Sequence, residues 1–534
     1  MQGQAVCGLH LRTAYDDKNR VEGVTQKMDG STMRTQYVYG DVTKKEKPGL
    51  LYGVKVDGTQ RVSYTYDPLT RLQKRTLNLD NGKTFETTYS FVPGAKNGVT
   101  TMLVSKVKNG VNELSYTYDE MGNILSISEN GVLKCSYSYD ELNRLVREDS
   151  VWENRTYCYG YNNGGNMTQY VSYSYHSPGT AIAGTEAGSV KALLRYENTG
   201  WKDQLTSYNN TAILYDAMGN PLTYRGMNLT WEKGRQLKQV VKAGKTFTYA
   251  YATDGSRIKK TVDGVETRYY WGGGHIIGMK SGSNRIQFVY DEKNQPVSMR
   301  LNSKTYYYLD NVQGDVIGLL DSTGSQVVSY RYNSWGKPLA TTDTTTEKAG
   351  TWNPFRYRGY CWDEETELYY VGSRYYDPEV CRFISPDTTD VLGATDDLYH
   401  KNLYAYCDSN PISRMDKEGD MWELALVGGG ALAAEAGVSL SAVGGAILAG
   451  LGAITPVGWV LIATIAFVET AYVGYNTFQL AKRRKRNTGR PELKKQGREN
   501  LEKKKDENWQ QRSGKRPRSQ PRPHHPSKKG HRRY

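Results

Sequence analysis

Apolar and polar positions alternate along most of the first 350 residues, with aromatic residues on every second position of short runs. Tyr64-Thr-Tyr66 is followed by Asp67-Pro-Leu-Thr-Arg-Leu72, and the same cadence returns at Tyr116/Tyr118-Asp119, Tyr137/Tyr139-Asp140 and Tyr215-Asp216. Looser copies stand at Tyr37/Tyr39, Tyr249/Tyr251, Tyr290-Asp291, Tyr306/Tyr308 and Tyr330/Tyr332. Side chains alternate faces along a strand, so Tyr-x-Tyr puts both rings on one face. Asp followed by Gly-Asn or Asn-Arg supplies the left-handed and side-chain-bonded positions of a tight turn. Each unit therefore reads strand, turn, strand. Adjacent copies recur about every 20 to 27 residues, the length of one hairpin. A lone hairpin is marginal in water, so neighbouring units must join in one sheet.

Composition sharpens this picture. The chain has 43 Tyr against 8 Phe, with 55 Gly and 17 Pro. A face built of tyrosine is apolar in its rings yet must find partners for its hydroxyls. The rings read first as structural. A glycan-binding or base-stacking sheet would also use aromatics, but lysine and arginine are not concentrated among these repeats. The six cysteines are scattered without a C-x-x-C pair, and neither a metal site nor a disulfide framework is expected. No cofactor motif occurs. Residues 1–20 lack the apolar stretch of a secretory leader. Because the repeat signal begins at Tyr15-Asp16, the chain reads as starting inside an array.

The quoted phrases resemble the repeat of the Rhs/YD-repeat family of bacterial polymorphic toxins. The resemblance becomes most specific at Gly372-Ser-Arg374-Tyr375-Tyr376-Asp377-Pro378-Glu-Val-Cys381-Arg382-Phe383-Ile384-Ser385-Pro386-Asp387. Asn402-Leu-Tyr404-Ala-Tyr406-Cys-Asp-Ser-Asn410-Pro411 and Asp416-Lys417-Glu418-Gly419 follow. Together these are similar to the Rhs-associated core. The resemblance implies a mostly β fold: a spiral YD-repeat sheet, here an incomplete portion, closing into a hollow shell around a variable C-terminal effector. It divides the chain into repeats at 1–353, a core at 354–419 and effector sequence beyond. It further implies aspartyl autoproteolysis just after Gly419, with Asp377, Asp387 and Arg382 matching the acids and arginine of the core. Two carboxylates sharing a proton can act as base and acid in water attack on a peptide bond. This chain departs from the pattern at Cys381, where Gly is usual, at Thr388 and Lys417, where Pro is usual, and at Asp420, where an apolar residue is usual. The competing reading makes these acids turn and salt-bridge residues.

After Gly419 the pattern changes. Ala436–Val468 contains no charged residue, and its 33 residues exceed the ~20 that span a bilayer as one helix. Pro456 divides this region into expected helices at 424–454 and 457–480, a hydrophobic hairpin within segment 420–481. Small residues recur every fourth position from Gly429 through Gly437 and Gly445 to Ala453, a ridge suited to close helix approach. A Gly-rich segment packed inside the shell is the alternative. Glu469 would cost roughly 2.5 to 3.5 kcal/mol at a bilayer centre, which favours an interior or interfacial place for it.

Residues 482–534 hold 21 Lys and Arg against 5 Asp and Glu, a net +16, so the whole-chain charge of +14 leaves the preceding part near −2. Any affinity for polyanions therefore belongs to this tail, which is too poor in apolar residues to fold alone. His524, His525 and His531 stand there among Lys and Arg, the groups of metal-independent phosphodiester cleavage. Non-catalytic binding of nucleic acid or anionic lipid competes with that reading.

The function expected is the structural and delivery portion of a contact-dependent toxin, secreted or in the cell envelope. An immunity protein and a target membrane are its expected partners. A membrane-anchored adhesion protein that binds surface glycans is the alternative from another class.

Overall fold

The computed structural model of the chain describes residues 2–424, apart from 7–8, 95–99, 292–293, 389–401, 418 and 420–421. It is mostly β. Eighteen strands from Gln2–Val6 to Thr211–Ala212 form one antiparallel sheet, and thirteen from Thr223–Tyr224 to Pro338–Asp343 form a second. In both, each strand pairs with its neighbour in sequence, as stacked hairpins require. The core adds four short strands, Cys361–Asp363, Leu368–Val371, Arg374–Asp377 and Arg382–Phe383. Arg414–Asp416 pairs with Trp422–Leu424.

The preference for tyrosine over phenylalanine has a direct cause. In the regular phrases the first tyrosine is buried in the apolar layer, as are Tyr64, Tyr116 and Tyr137. In these phrases the second sends its hydroxyl back to the preceding repeat. Tyr139 donates to the Ile124 carbonyl at 2.7 Å, Tyr161 to Leu145 at 2.7 Å and Tyr196 to Met167 at 2.9 Å. Ile124 and Leu145 are the aliphatic residues that close the preceding Tyr-Asp phrases, opposite the bulges at Tyr118 and Tyr139. The hydroxyl thus satisfies a carbonyl that the bulge leaves outside the regular ladder. Phenylalanine would fill the same space and leave that oxygen without this partner.

The aspartate fixes the turn. Asp140 Oδ1 accepts the N–H groups of Leu142 and Arg144 at 3.0 and 2.9 Å, and Oδ2 accepts Arg144 Nε at 2.7 Å. The Arg144 guanidinium then covers the Tyr161 ring of the next repeat, 4.6 Å from its centroid. Asp67 and Arg71 repeat the arrangement over Phe91 at 3.8 Å.

The second sheet differs from the first in being covered on both faces over its central strands. Val289, Val297, Tyr307 and Leu309 pack against Met33, Leu51, Val54 and Val62 of the first sheet. Phe288, Met299 and Tyr308 on the opposite face join the aromatic cluster of the core. Strands Asn284–Tyr290, Pro296–Leu301 and Lys304–Asp310 accordingly carry four consecutive buried residues each, where alternation alone would give every second one.

All of the hairpin expected over 424–480 except its first residue, and the tail 482–534, lie outside the described residues, so the helical part of the expectation has no support. Its first residue, Leu424, ends a strand. Among the described residues, no helix is long and apolar enough to cross a membrane.

Candidate functional site

One anchor of the core segment on the repeats is the turn at residues 333–337. Tyr357, Tyr369 and Tyr376 donate their hydroxyls to the carbonyls of Ser334, Gly336 and Trp335 at 3.3, 2.8 and 2.7 Å. Their rings pack with Tyr360, Phe383 and Tyr406 in one buried cluster, in which the Tyr376 and Tyr406 centroids stand 4.0 Å apart. Residues 402–413 then run along the turns of the first sheet and the turn that leads into the second. Asn402 Nδ2 donates to Asn166 Oδ1 at 2.8 Å, and Tyr404 Oη to the Gly219 carbonyl at 2.8 Å. Asn410 Nδ2 donates to Asn123 Oδ1 at 2.8 Å and to the Asn143 carbonyl at 2.9 Å. The turn positions that close each repeat therefore also seat the core.

This path delivers Gly419 to a confined place. Its carbonyl oxygen accepts from Arg374 Nε and from Ser373 Oγ, the latter at 3.1 Å, while its N–H donates to Asp416 Oδ1 at 2.7 Å. Arg374 Nη2 meets Asp387 Oδ2 at 3.0 Å and Asp416 Oδ2 at 3.3 Å, so both carboxylates converge on one guanidinium. Arg374 Nη1 donates to the Leu403 carbonyl at 3.1 Å, and the guanidinium lies 3.6 Å from the Phe383 ring centroid. Asp416 is itself positioned by its own N–H, which donates to Tyr360 Oη at 3.0 Å. All three charged groups are buried, with Asp387 at 5% and Asp416 at 3% exposure.

Residue 419 must be glycine here. Its φ is +81°, and a Cβ would stand 2.4 Å from the Val371 carbonyl oxygen and 2.8 Å from Ser373 Oγ. Two donors on a peptide carbonyl, one of them cationic, can stabilise an oxyanion. Two carboxylates beside it can divide the tasks of base and acid.

The structure separates the three core residues that the sequence suggested. Asp387 is at Gly419, but Asp377 and Arg382 take other partners, although they face each other across paired strands. Asp377 is fully buried and accepts Arg225 Nη1 at both oxygens, 3.1 and 2.9 Å, and the Glu379 N–H at 2.8 Å. Arg382 donates to Tyr196 Oη and to the Asp203 carbonyl, each at 2.6 Å, and packs over the Tyr196 and Tyr404 rings. Both tie the core to the repeats.

Arg374, Ser373 and Asp416 complete the Gly419 cluster, and sequence reasoning did not select them. Their signal was present, since Gly372-Ser-Arg374 and Asp416-Lys-Glu-Gly419 stand within the core phrases. Their meeting depends on a fold that brings together residues more than 40 positions apart. Cys381, in place of the usual glycine, adopts φ +62°. His524, His525 and His531 lie outside the described residues. Among the described residues, no three His, Cys, Asp or Glu side chains group as metal ligands.

Comparison with known proteins agrees with this architecture. A family model described as teneurin YD-shell matches residues 149–412. The tRNA nuclease WapA of Bacillus subtilis (strain 168) is 34% identical over 272 residues, which are 49% of this chain and 11% of the relative. Toxin subunit YenC1 of Yersinia entomophaga is 24% identical over 435 residues, 74% of this chain and 41% of the relative. Among solved structures, TcdB2-TccC3 superposes with a TM-score of 0.56 at 20% identity, covering 77% of this chain and 22% of that one, a likeness of fold. The chain thus spans less than half the length of each of these relatives.

Proposed function

The chain belongs to the Rhs/YD-repeat shell family, and from that premise we propose that residues 1–419 are the wall and closure of a toxin-delivery shell whose cargo begins after Gly419. The observation that carries the reading is the seat of Gly419. The glycine is gripped at its carbonyl by Arg374 and Ser373, beside two buried carboxylates. It stands just before the point where the sequence turns from polar repeats to the uncharged stretch Ala436–Val468.

The same cluster supports self-cleavage of the Gly419–Asp420 bond. Arg374 and Ser373 polarise the carbonyl, and one of Asp387 and Asp416 takes a proton from the attacking water. The other supplies a proton to the departing Asp420 nitrogen, which balances the hydrolysis. Asp377 and Arg382 act here as anchors of the closure.

Intact mass measurement of the purified full chain tests this reading. The expected products are one fragment ending at Gly419 and one beginning at Asp420. Asp387→Asn and Asp416→Asn each should leave the chain uncut while it remains folded. An uncut wild-type chain, or cleavage unaffected by both substitutions, overturns it.

The activity of the cargo is a further proposal: either residues 420–481 insert into a membrane, or the basic tail attacks or binds nucleic acid. Expression of residues 420–534 in bacteria separates them, by loss of membrane potential in one case and His531-dependent nucleic-acid degradation in the other. In a toxin context, a small immunity protein is the expected suppressor of either effect.

A further inference from the structure

The turn that anchors the core rests on a carboxyl group with no counter-ion. Glu148, in strand Leu145–Ser150, is 2% exposed. Among the described residues, no Lys, Arg or His nitrogen lies within 4.0 Å of it. Tyr159 Oη donates to its Oε2 at 2.9 Å, and the Tyr159 ring meets the Trp335 indole of turn 333–337 edge-on, 5.9 Å between centroids.

The surrounding groups do not neutralise it. Glu153, from the turn that follows the strand, accepts Tyr157 Oη at 2.9 Å, and its buried Oε1 has no hydrogen-bond partner. Cys135 and Tyr137 face Glu148 from the neighbouring strand and Cys381 from the core, all buried. Asp149, the next residue on its own strand, pairs with Arg147 at 2.9 Å. Lys337, the cation of the facing turn, is held by Glu379 at 2.5 Å. Isolated buried carboxylates are costly, and the usual escape is to keep the proton.

We propose that Glu148 is a pH-operated latch on the closure: as a neutral acid it lets the first sheet pack on turn 333–337, and on ionising it loosens that turn and the core segment hung from it. The inference rests on the fold and is independent of self-cleavage at Gly419. Burial first, and the nearby Glu153 carboxylate second, push the Glu148 carboxyl up to about 7, against the Ser334 and Tyr159 hydroxyls. Burial raises Glu153 as well.

For an acid raised in the folded state, the unfolded form releases its proton first. The contribution to stability is complete below about 4.5, the ordinary value, falls as pH rises towards about 7, and is flat above it. Alkaline conditions therefore open the latch, and acid conditions close it.

Hydrogen exchange of the full-length chain between pH 4.5 and 8 tests the proposal at the peptide covering 333–337. Protection, corrected for the intrinsic pH dependence of exchange, should fall by up to about tenfold per pH unit until about pH 7 and then level off. Glu148→Gln should remove that slope. Asp310→Asn should keep it, although burial pushes Asp310 up to about 7 as well, beside Arg75. A slope unchanged in Glu148→Gln, or no slope in the wild type, overturns the latch. Should Glu148→Gln fail to fold, the carboxylic-acid band of isotope-labelled glutamate in the wild type decides by infrared titration. A buried acid titrating near pH 7 supports the proposal, and full ionisation of every glutamate by pH 5.5 overturns it.

Discussion

The repeat wall and the core closure use the same residue types in opposite ways. In the wall, tyrosine hydroxyls bond backbone carbonyls about 15 residues away, as Tyr139 does with Ile124. Its characteristic ion pairs join Asp and Arg four residues apart at partly exposed turns, as in Asp140 and Arg144. In the core, tyrosine hydroxyls reach carbonyls from 23 residues away, as Tyr357 does with Ser334, to 185 residues away, as Tyr404 does with Gly219, and ion pairs span the chain in full burial. Arg257 and Asp363 are 1% and 0% exposed and 106 residues apart. The wall therefore distributes its stability over many equivalent local contacts, whereas the core concentrates it in a few long-range ones. This suits a wall that can vary in length and a closure that must have one geometry.

The largest expected effect tests that concentration. Asp363 accepts Arg257 Nη2 at 3.0 Å and Lys260 Nζ at 2.9 Å, so Asp363→Ala strands Arg257 in the interior and leaves Lys260 with Glu365 as its one carboxylate partner among the described residues. Loss of one partner of a buried pair costs about 3–5 kcal/mol. Urea denaturation should show that loss for Asp363→Ala, against about 1 kcal/mol or less for Asp140→Ala at the partly exposed turn. Equal losses at the two sites would erase the distinction between the regions.

A smaller effect tests the wall. Tyr139→Phe retains the ring and removes one hydroxyl donor from the Ile124 carbonyl, which should cost about 1 kcal/mol. The reading becomes sharper if the equivalent substitution one repeat on, Tyr161→Phe, costs the same within a few tenths of a kcal/mol. A severalfold larger loss at one repeat would show that the wall is not a sum of equal units.

Much of the wall was legible in sequence because its information is local. Tyr-x-Tyr-Asp fixes a strand face and a turn within six residues, and Asp140, Leu142 and Arg144 do what their spacing implies. The destination of the second hydroxyl was less visible, since it depends on a bulge in the preceding hairpin. The Gly419 site was legible only in part. Asp387 is there, but Asp377 and Arg382 stand near it in sequence and bond Arg225 and Tyr196, more than 150 residues away. Arg374 reaches Gly419 and Asp416 across more than 40 residues. No spacing rule encodes such a meeting, because it is set by how the core folds back along the turns of the wall.

The smallest effect compares one backbone position across the two regions. The fourth residue of each turn adopts a left-handed conformation: Thr70 at φ +67°, Gly122 at +83°, Asn143 at +59° and Gly336 at +89°. Thr70 is an exposed, β-branched residue in a region that suits glycine. Thr70→Gly should therefore raise stability by up to about 1 kcal/mol, read as a shift of the urea midpoint, despite the extra freedom glycine gives the unfolded chain. Space does not enter the argument at Gly122, where a Cβ would meet nothing closer than Leu103 at 3.9 Å. At Gly336 a Cβ would stand 2.5 Å from the Tyr357 ring, so there packing as well as backbone preference excludes a side chain. A destabilised Thr70→Gly would mean that the threonine makes a contact its sister turns do not need, and the repeats would then be less interchangeable than their shared geometry implies.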